Sequence, residues 1–140
     1  MKLFLASAAL IFIPLIGFTE DDPLFLKVTK DTELSAYQWT HRPIVVFANS
    51  NADVNYQRQI RMLEQDIASL IDRDVIILTD TTPASETPLR NALRPRGFAL
   101  LLIGKDGQVK LRKPFPWSVR ELSRAIDKMP LRRQELNGGK

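Results

Sequence analysis

The chain contains no cysteine and only one histidine, His41, which narrows the available chemistry before any fold is considered. Without a thiol there is no disulfide, no thiolate nucleophile and no cysteine metal site. One imidazole cannot build a histidine-rich zinc centre. The sequence has no Gly-x-Ser-x-Gly elbow, no phosphate-binding glycine loop and no helical histidine pair. A triad of Ser50, His41 and Asp53 can be written down, but Ser50 and Asp53 precede a helix and have sufficient reason to be there as caps. Asp72 and Asp74 flank Arg73 and could pair as carboxylates for acid–base work. At the end of a helix they read more simply as a solvated turn. No catalytic residue, cofactor site or metal site is assigned, and a non-catalytic module is favoured over an enzyme of unrecognised hydrolytic or transfer type.

Two places keep interest as binding surfaces. The first is Asn49, Ser50 and Asn51 at a helix N-terminus, where free backbone N–H groups and the helix dipole could hold an anion; Asp53 opposes that. The second is a basic cluster of Lys105, Lys110 and Arg112, with Lys113, continuing to Arg132 and Arg133. Residues 20–104 carry nine Lys/Arg against twelve Asp/Glu, whereas residues 105–140 carry ten against four. Such a patch suits an envelope protein or an anionic surface, although charges on an outer strand read more simply as a solvated edge that resists edge-to-edge aggregation. Nucleic acid is not expected, because no aromatic residues interleave with the cations to stack on bases.

The elements that must position these residues follow from periodicity. Ile44 to Ala48 is an uninterrupted apolar run, as in a strand covered on both faces. Tyr56, Ile60, Leu63, Ile67, Leu70 and Ile71 then recur at helical steps and predict one long helix, and Val75 to Leu78 predicts a second buried strand. That strand–helix–strand order forms a parallel unit. A short helix is expected around Glu86 to Leu93, and a third strand over Phe98 to Ile103. Lys105-Asp106-Gly107 predicts a hairpin turn, because an Asp-Gly pair tolerates positive φ. In the returning strand, Gln108 to Arg112, Val109 and Leu111 should face the core and Lys110 and Arg112 the solvent. Ser118 with Glu121 is a capping box opening a last helix, with Val119, Leu122, Ile126 and Met129 on its buried stripe and Pro130 at its end. Upstream, Leu34 and Tyr37 should be buried on a turn capped by Thr32, and Trp39 is expected to pack under the sheet.

The N-terminus has its own character. Lys2 precedes an apolar run, Leu3 to Phe18, broken only by Ser7, Pro14 and Gly17. Residues 1–19 read as a signal peptide, because a spanning helix needs roughly 20 apolar residues. The expected location is periplasmic or secreted, with an uncleaved membrane anchor as the alternative. Residues 20–33 read as a linker with at most one short strand at Leu24 to Val28, residues 34–136 as the single domain this length allows, and 137–140 as a disordered tail.

The layout resembles a thioredoxin-like α/β fold, a three-layer sandwich in which a βαβ unit is followed by a short helix, a β-hairpin and a C-terminal helix. It more specifically resembles a bacterial family known as domain of unknown function 4174. That likeness rests on Tyr37-Gln38-Trp39 with Arg42-Pro43 entering Ile44 to Ala48, on Arg73-Asp74-Val75, and on Ile103-Gly104-Lys105-Asp106-Gly107 with Val109-Lys110-Leu111-Arg112. Ile126-Asp127-Lys128-Met129-Pro130 with Arg132-Arg133-Gln134-Glu135 completes it, covering nearly all of residues 34–136. The resemblance implies an exported thioredoxin-like domain with no established activity. Laid on a thioredoxin, Ala52 and Asn55 take the two cysteine positions of the redox motif, and Phe98 or Ala99 takes the place of the proline before the third strand.

Overall fold

The two uninterrupted apolar runs become the centre of a five-stranded sheet in the computed structural model, which describes residues 24–138. The strands are β1 (Phe25–Lys27), β2 (Arg42–Phe47), β3 (Val75–Asp80), β4 (Ala99–Ile103) and β5 (Val109–Lys113). The helices are α1 (Val54–Glu64), α2 (Ile67–Asp72), α3 (Pro88–Leu93), α4 (Val119–Asp127) and α5 (Pro130–Gly138), with 3-10 turns at Leu34–Tyr37 and Pro83–Ser85. The sheet order is β1-β3-β2-β4-β5. β1 and β2 run parallel to β3, and β4 is antiparallel to both β2 and β5. Every residue of β2 and β4 is buried, as their lack of alternation requires.

The sheet divides the interior into two apolar layers. Ile44, Val46, Ile77, Leu100 and Leu102 face Leu63, Leu70, Leu122 and Ile126 of the helices. Val45, Phe47, Leu78, Leu101 and Ile103 face Leu89 of α3, with Leu34 and Tyr37 packed at the edge. The capping box is present: the Glu121 N–H donates to Ser118 Oγ, and the Ser118 N–H donates to Glu121 Oε2. The hairpin turn closes with the Gly107 N–H donating to the Gly104 carbonyl, and Gly107 has φ +82°.

Several expectations are corrected. The long helix is two helices, because Asp66 leaves the helical conformation and caps α2, accepting from the Ser69 N–H and hydroxyl. Past that break the stripe loses phase, and Ile71 is exposed. Residues 24–28 carry β1, which pairs along β3, so order begins upstream of Leu34. Thr32 does not cap the 3-10 turn; its Oγ1 accepts from the Thr29 N–H instead. Trp39 does not pack under the sheet but is 63% exposed. Val109 is also exposed, because a bulge between Leu102 and Ile103 skips Lys110 and breaks the alternation of β5. Pro130 ends α4 and also opens α5, where a proline's missing N–H costs nothing. Asn137 and Gly138 belong to α5. The leader over residues 1–19, residues 20–23 and the last two residues of the tail lie outside the described residues.

Candidate functional site

The carboxyl ends of β2 and β3 are where an open α/β sheet ordinarily holds its chemistry. Here β2 runs out at Ala48, and the following loop folds back on itself. Ser50 Oγ accepts from the Ala52 N–H, the Asn51 carbonyl accepts from Gln57 Nε2, and Asp53 caps α1 by accepting from the Tyr56 N–H at 3.0 Å. The Asp53 carboxylate occupies the N-terminal position an anion would take, so the anion reading at Asn49, Ser50 and Asn51 gains no support from the geometry. The imagined triad cannot assemble. His41 precedes β2 and Ser50 follows it, and nine residues at a strand rise of about 3.3 Å separate them by on the order of 20 Å or more. The His41 ring instead lies 3.0 Å from the Thr40 hydroxyl.

Behind that loop lies a buried pair the sequence reading did not single out. Asp80, the last residue of β3, is 5% exposed and Arg90 of α3 is 8% exposed. Arg90 Nη2 donates to Asp80 Oδ1 at 3.0 Å, to the Asp80 carbonyl at 3.0 Å and to the Ala48 carbonyl at 3.1 Å. The Thr87 hydroxyl donates to Asp80 Oδ2 and itself caps α3 by accepting from the Arg90 N–H. The guanidinium also stacks 5.1 Å from the Phe47 ring centroid, a cation–π contact. Burial pushes the Asp80 carboxyl up, but hydrogen bonds from Arg90, Thr82 and Thr87 outweigh it and hold the group below the usual carboxylate range. The available signal was Thr87-Pro88, a cap residue followed by proline at the first helical position, which places Arg90 one turn in. Beside the pair is a polar cleft of about 270 Å³, lined in part by Lys27, Asn51, Tyr56, Asp80, Thr82 and Thr87.

The basic cluster meets a different fate at the opposite end of the sheet. Arg42, with no exposed surface, makes a two-pronged ion pair with Glu135 at 3.0 and 3.2 Å and donates to the Arg73 carbonyl. Lys105 bridges Glu135 at 2.6 Å and Asp74 at 2.8 Å. Arg132, 3% exposed, contacts Asp72 at 2.7 Å, Asp127 at 3.3 Å and Glu135 at 3.6 Å, and Arg73 grips Asp127 with both Nε and Nη2. Burial pushes the Glu135 carboxyl up, yet Arg42 and Lys105 overcome this and lower it to about 2. Lys105 and Arg132 therefore belong to a network that clasps α5 to the sheet, which corrects the expectation of a solvated docking face. Asp72 and Asp74 stay at a solvated turn, exposed and half-buried respectively, and each also pairs into that network. Of the others, Lys110 pairs with Asp106 at 2.6 Å, Arg112 donates to the Leu93 carbonyl towards the far end of β5, and Arg133 is exposed on α5. The cluster is not one surface.

Sheet order, a capped helix after β2 and a β4–β5 hairpin packed by α4 define a thioredoxin-like domain, and its sequence has no thiol. Solved structures with this fold include chloroplastic thioredoxin z, 21% identical with a TM-score of 0.55 over 73% of this chain and 90% of that one. Desulfothioredoxin from Desulfovibrio vulgaris Hildenborough is 18% identical with a TM-score of 0.54 over 74% and 97%. Plasmodium yoelii Prx1a is 18% identical with a TM-score of 0.58 over 81% and 88%. At these identities the likeness shows the fold alone. The chain belongs to the family described as Domain of unknown function (DUF4174), whose model matches residues 33–135. A curated relative, coiled-coil domain-containing protein 80 of Danio rerio, is 29% identical over 147 residues, and the match takes in 84% of this chain but only 16% of that protein's length.

Proposed function

We propose that this domain is a non-catalytic thioredoxin-like binding module, exported to the cell envelope, that works through protein contacts. The observation that carries the reading is Trp39. It is 63% exposed and held at φ +69°, a left-handed conformation that costs a non-glycine residue about 1–3 kcal/mol. Its backbone is fixed there by the Trp39 N–H donating to the Lys105 carbonyl at 2.7 Å, and by the Thr40 and His41 N–H groups donating to the Tyr37 carbonyl. A rigidly presented, solvent-facing tryptophan beside a hairpin is the kind of anchor on which protein interfaces concentrate their energy. The residues at the carboxyl end of the sheet support the same reading, since Asp53 and Thr87 cap helices, Asp80 and Arg90 form a buried ion pair, and Ser50 closes a local turn to the Ala52 N–H instead of capping α1. Export rests on Lys2 and the apolar run Leu3 to Phe18, with the mature N-terminus falling between residues 18 and 23.

A photo-reactive amino acid placed at position 39, and in a control at exposed Arg120, tests this in intact cells. A discrete heavier adduct from position 39 and none from position 120 is expected. Identical adduct patterns from both positions, or none from either, would overturn the protein-contact reading. The intact mass of the envelope protein tests export separately, and recovery of only the full-length chain in detergent would refute cleavage.

A further inference from the structure

A basic cleft lies where β4 begins and β5 ends, at the same end of the sheet as the Asp80–Arg90 pair. Its volume is about 750 Å³, within the ~300–1,000 Å³ typical of small-ligand sites. Arg94 and Arg96 of the loop after α3 line it together with Arg112 and Lys113 of β5, and Leu93 and Phe98 form part of its apolar lining. Among the described residues no acidic side chain lines it, and none of the four cations is in an ion pair. That sets them apart from Lys105, Lys110 and Arg132, whose charges are met by carboxylates. Four like charges on one cleft repel one another, and an anion held among them turns that repulsion into attraction.

The cations are also held in place. Arg112 Nη2 donates to the Leu93 carbonyl at 2.6 Å, and the Lys113 ammonium sits 4.7 Å from the centroid of the Trp117 ring. Neither a carbonyl nor a ring carries a net charge, so both residues remain unneutralised. Arg94 ends α3 in the left-handed region at φ +49°, with its N–H donating to the Arg90 carbonyl at 2.8 Å. Glycine ordinarily takes that helix-ending position because it does so without strain. Here an arginine is kept there, and it lines the cleft. Charges that only keep an edge strand soluble need no such fixing.

We infer that this cleft binds a small ligand bearing two or more phosphoryl groups. Each such group carries about −1.5 to −2 charge on three acceptor oxygens, so two of them match four cations, whereas a carboxylate brings one charge and two oxygens. Three of the four cations are guanidiniums, whose planar forks grip phosphoryl oxygens in pairs. The inference goes beyond the protein-contact reading and does not depend on it, since Trp39 is bonded to Lys105 past the other end of β4 and either test can fail alone.

Calorimetric titration of the full chain with tripolyphosphate, orthophosphate, citrate and a hexaglutamate peptide tests the assignment. Tripolyphosphate should bind one to one, at least about tenfold more tightly than each of the other three, and more weakly as salt is added. Arg94→Gly removes a cation and relieves the backbone, so it should keep or raise the thermal midpoint while weakening tripolyphosphate by about tenfold or more. Arg133→Gln, which removes an exposed cation on α5 outside the cleft, should change that affinity by less than about twofold. Amide resonances of Gly97, Phe98 and Arg112 should shift on adding tripolyphosphate. No tripolyphosphate binding below the millimolar range, citrate or orthophosphate binding as tightly, an equal loss in Arg94→Gly and Arg133→Gln, or shifts confined to other residues would each overturn it. Tighter binding of the glutamate peptide would overturn it in favour of an acidic protein segment.

Discussion

Replacing Glu135 with Gln removes the charge at the hub of the α5 network while keeping its shape. The carboxylate is lowered from 4.5 to about 2, and a difference of that size corresponds to about 3 kcal/mol of stability at neutral pH. A second route gives a similar figure. The variant leaves Arg42, with no exposed surface, without the one carboxylate it pairs with among the described residues, and breaking a buried pair on one side costs about 3–5 kcal/mol. Glutamine keeps one acceptor for Arg42 or Lys105, so a loss of about 2–3 kcal/mol is expected at pH 7. The sign with pH is fixed by the direction of the shift. A carboxyl held below its unfolded value contributes fully above about 4.5 and loses its contribution as pH falls towards about 2. Urea denaturation of parent and variant at pH 7 and pH 3 reads this directly. The gap between them should narrow by roughly half or more at pH 3. Equal midpoints at pH 7, or a gap that does not change with pH, would refute the claim that Glu135 anchors α5 electrostatically.

Arg90→Met should destabilise the domain by about 3–5 kcal/mol in denaturant unfolding, because it strands Asp80 at 5% exposure without its ion partner. Gly107→Val should cost about 1–3 kcal/mol, measured as a lower thermal midpoint, because Gly107 sits at φ +82° and valine resists that region; the nearest side chain, Gln38, is 3.7 Å from a built Cβ and leaves room, so the penalty is conformational. Trp39→Gly should leave stability unchanged or raise it by up to about 1 kcal/mol, since glycine relieves the left-handed strain at φ +69°, and it should still lose partner retention. Within the basic segment, Lys110, Arg112 and Arg133 replaced together by Gln should shift stability by less than about 1 kcal/mol, whereas Arg132→Gln alone should cost more than that, because only Arg132 is buried.

The central elements were legible because their signals are local. Ile44 to Ala48 and Val75 to Leu78 announce buried strands by lacking alternation, and Ser118 with Glu121 announces a helix start by two side chains bonding neighbours three residues away. The break at Asp66 was harder to see, since Ile67 and Leu70 keep three- and four-residue steps across it and only the cap to Ser69 reveals the new helix. The bulge that turns Val109 outward leaves no mark in a strand pattern that alternates by itself. The site at each end was least legible, and for one reason. Arg132 meets the Asp72 carbonyl and carboxylate across 60 residues of sequence, and Arg42 meets Glu135 across 93. A charge count over residues 105–140 records an excess of cations but cannot record that their partners arrive from α2, the turn before β3 and α5. Charge that looks like a surface in one dimension is consumed inside the fold in three.

That consumption sets how the two ends of the sheet differ. At the carboxyl end, Asp80 and Arg90 are joined within ten residues and are covered by Thr87 and Phe47, so the pair is held by local chain as well as by charge. At the other end, α5 contributes Arg132 as its one buried side chain, and its attachment runs through Glu135 and Arg132 to groups on four other segments, β2, α2, the turn after β4 and α4. A helix with so little apolar contact is held by electrostatics more than by packing, and electrostatic attachment weakens with acid and with the loss of any one partner. Pro130 and Leu131 of the same helix line a cleft between β5 and the α4–α5 junction together with Leu102 and Leu111, and Arg42 and Lys105 stand in both the network and that lining. The side chains that hold α5 to the sheet thus also shape the surface beside it.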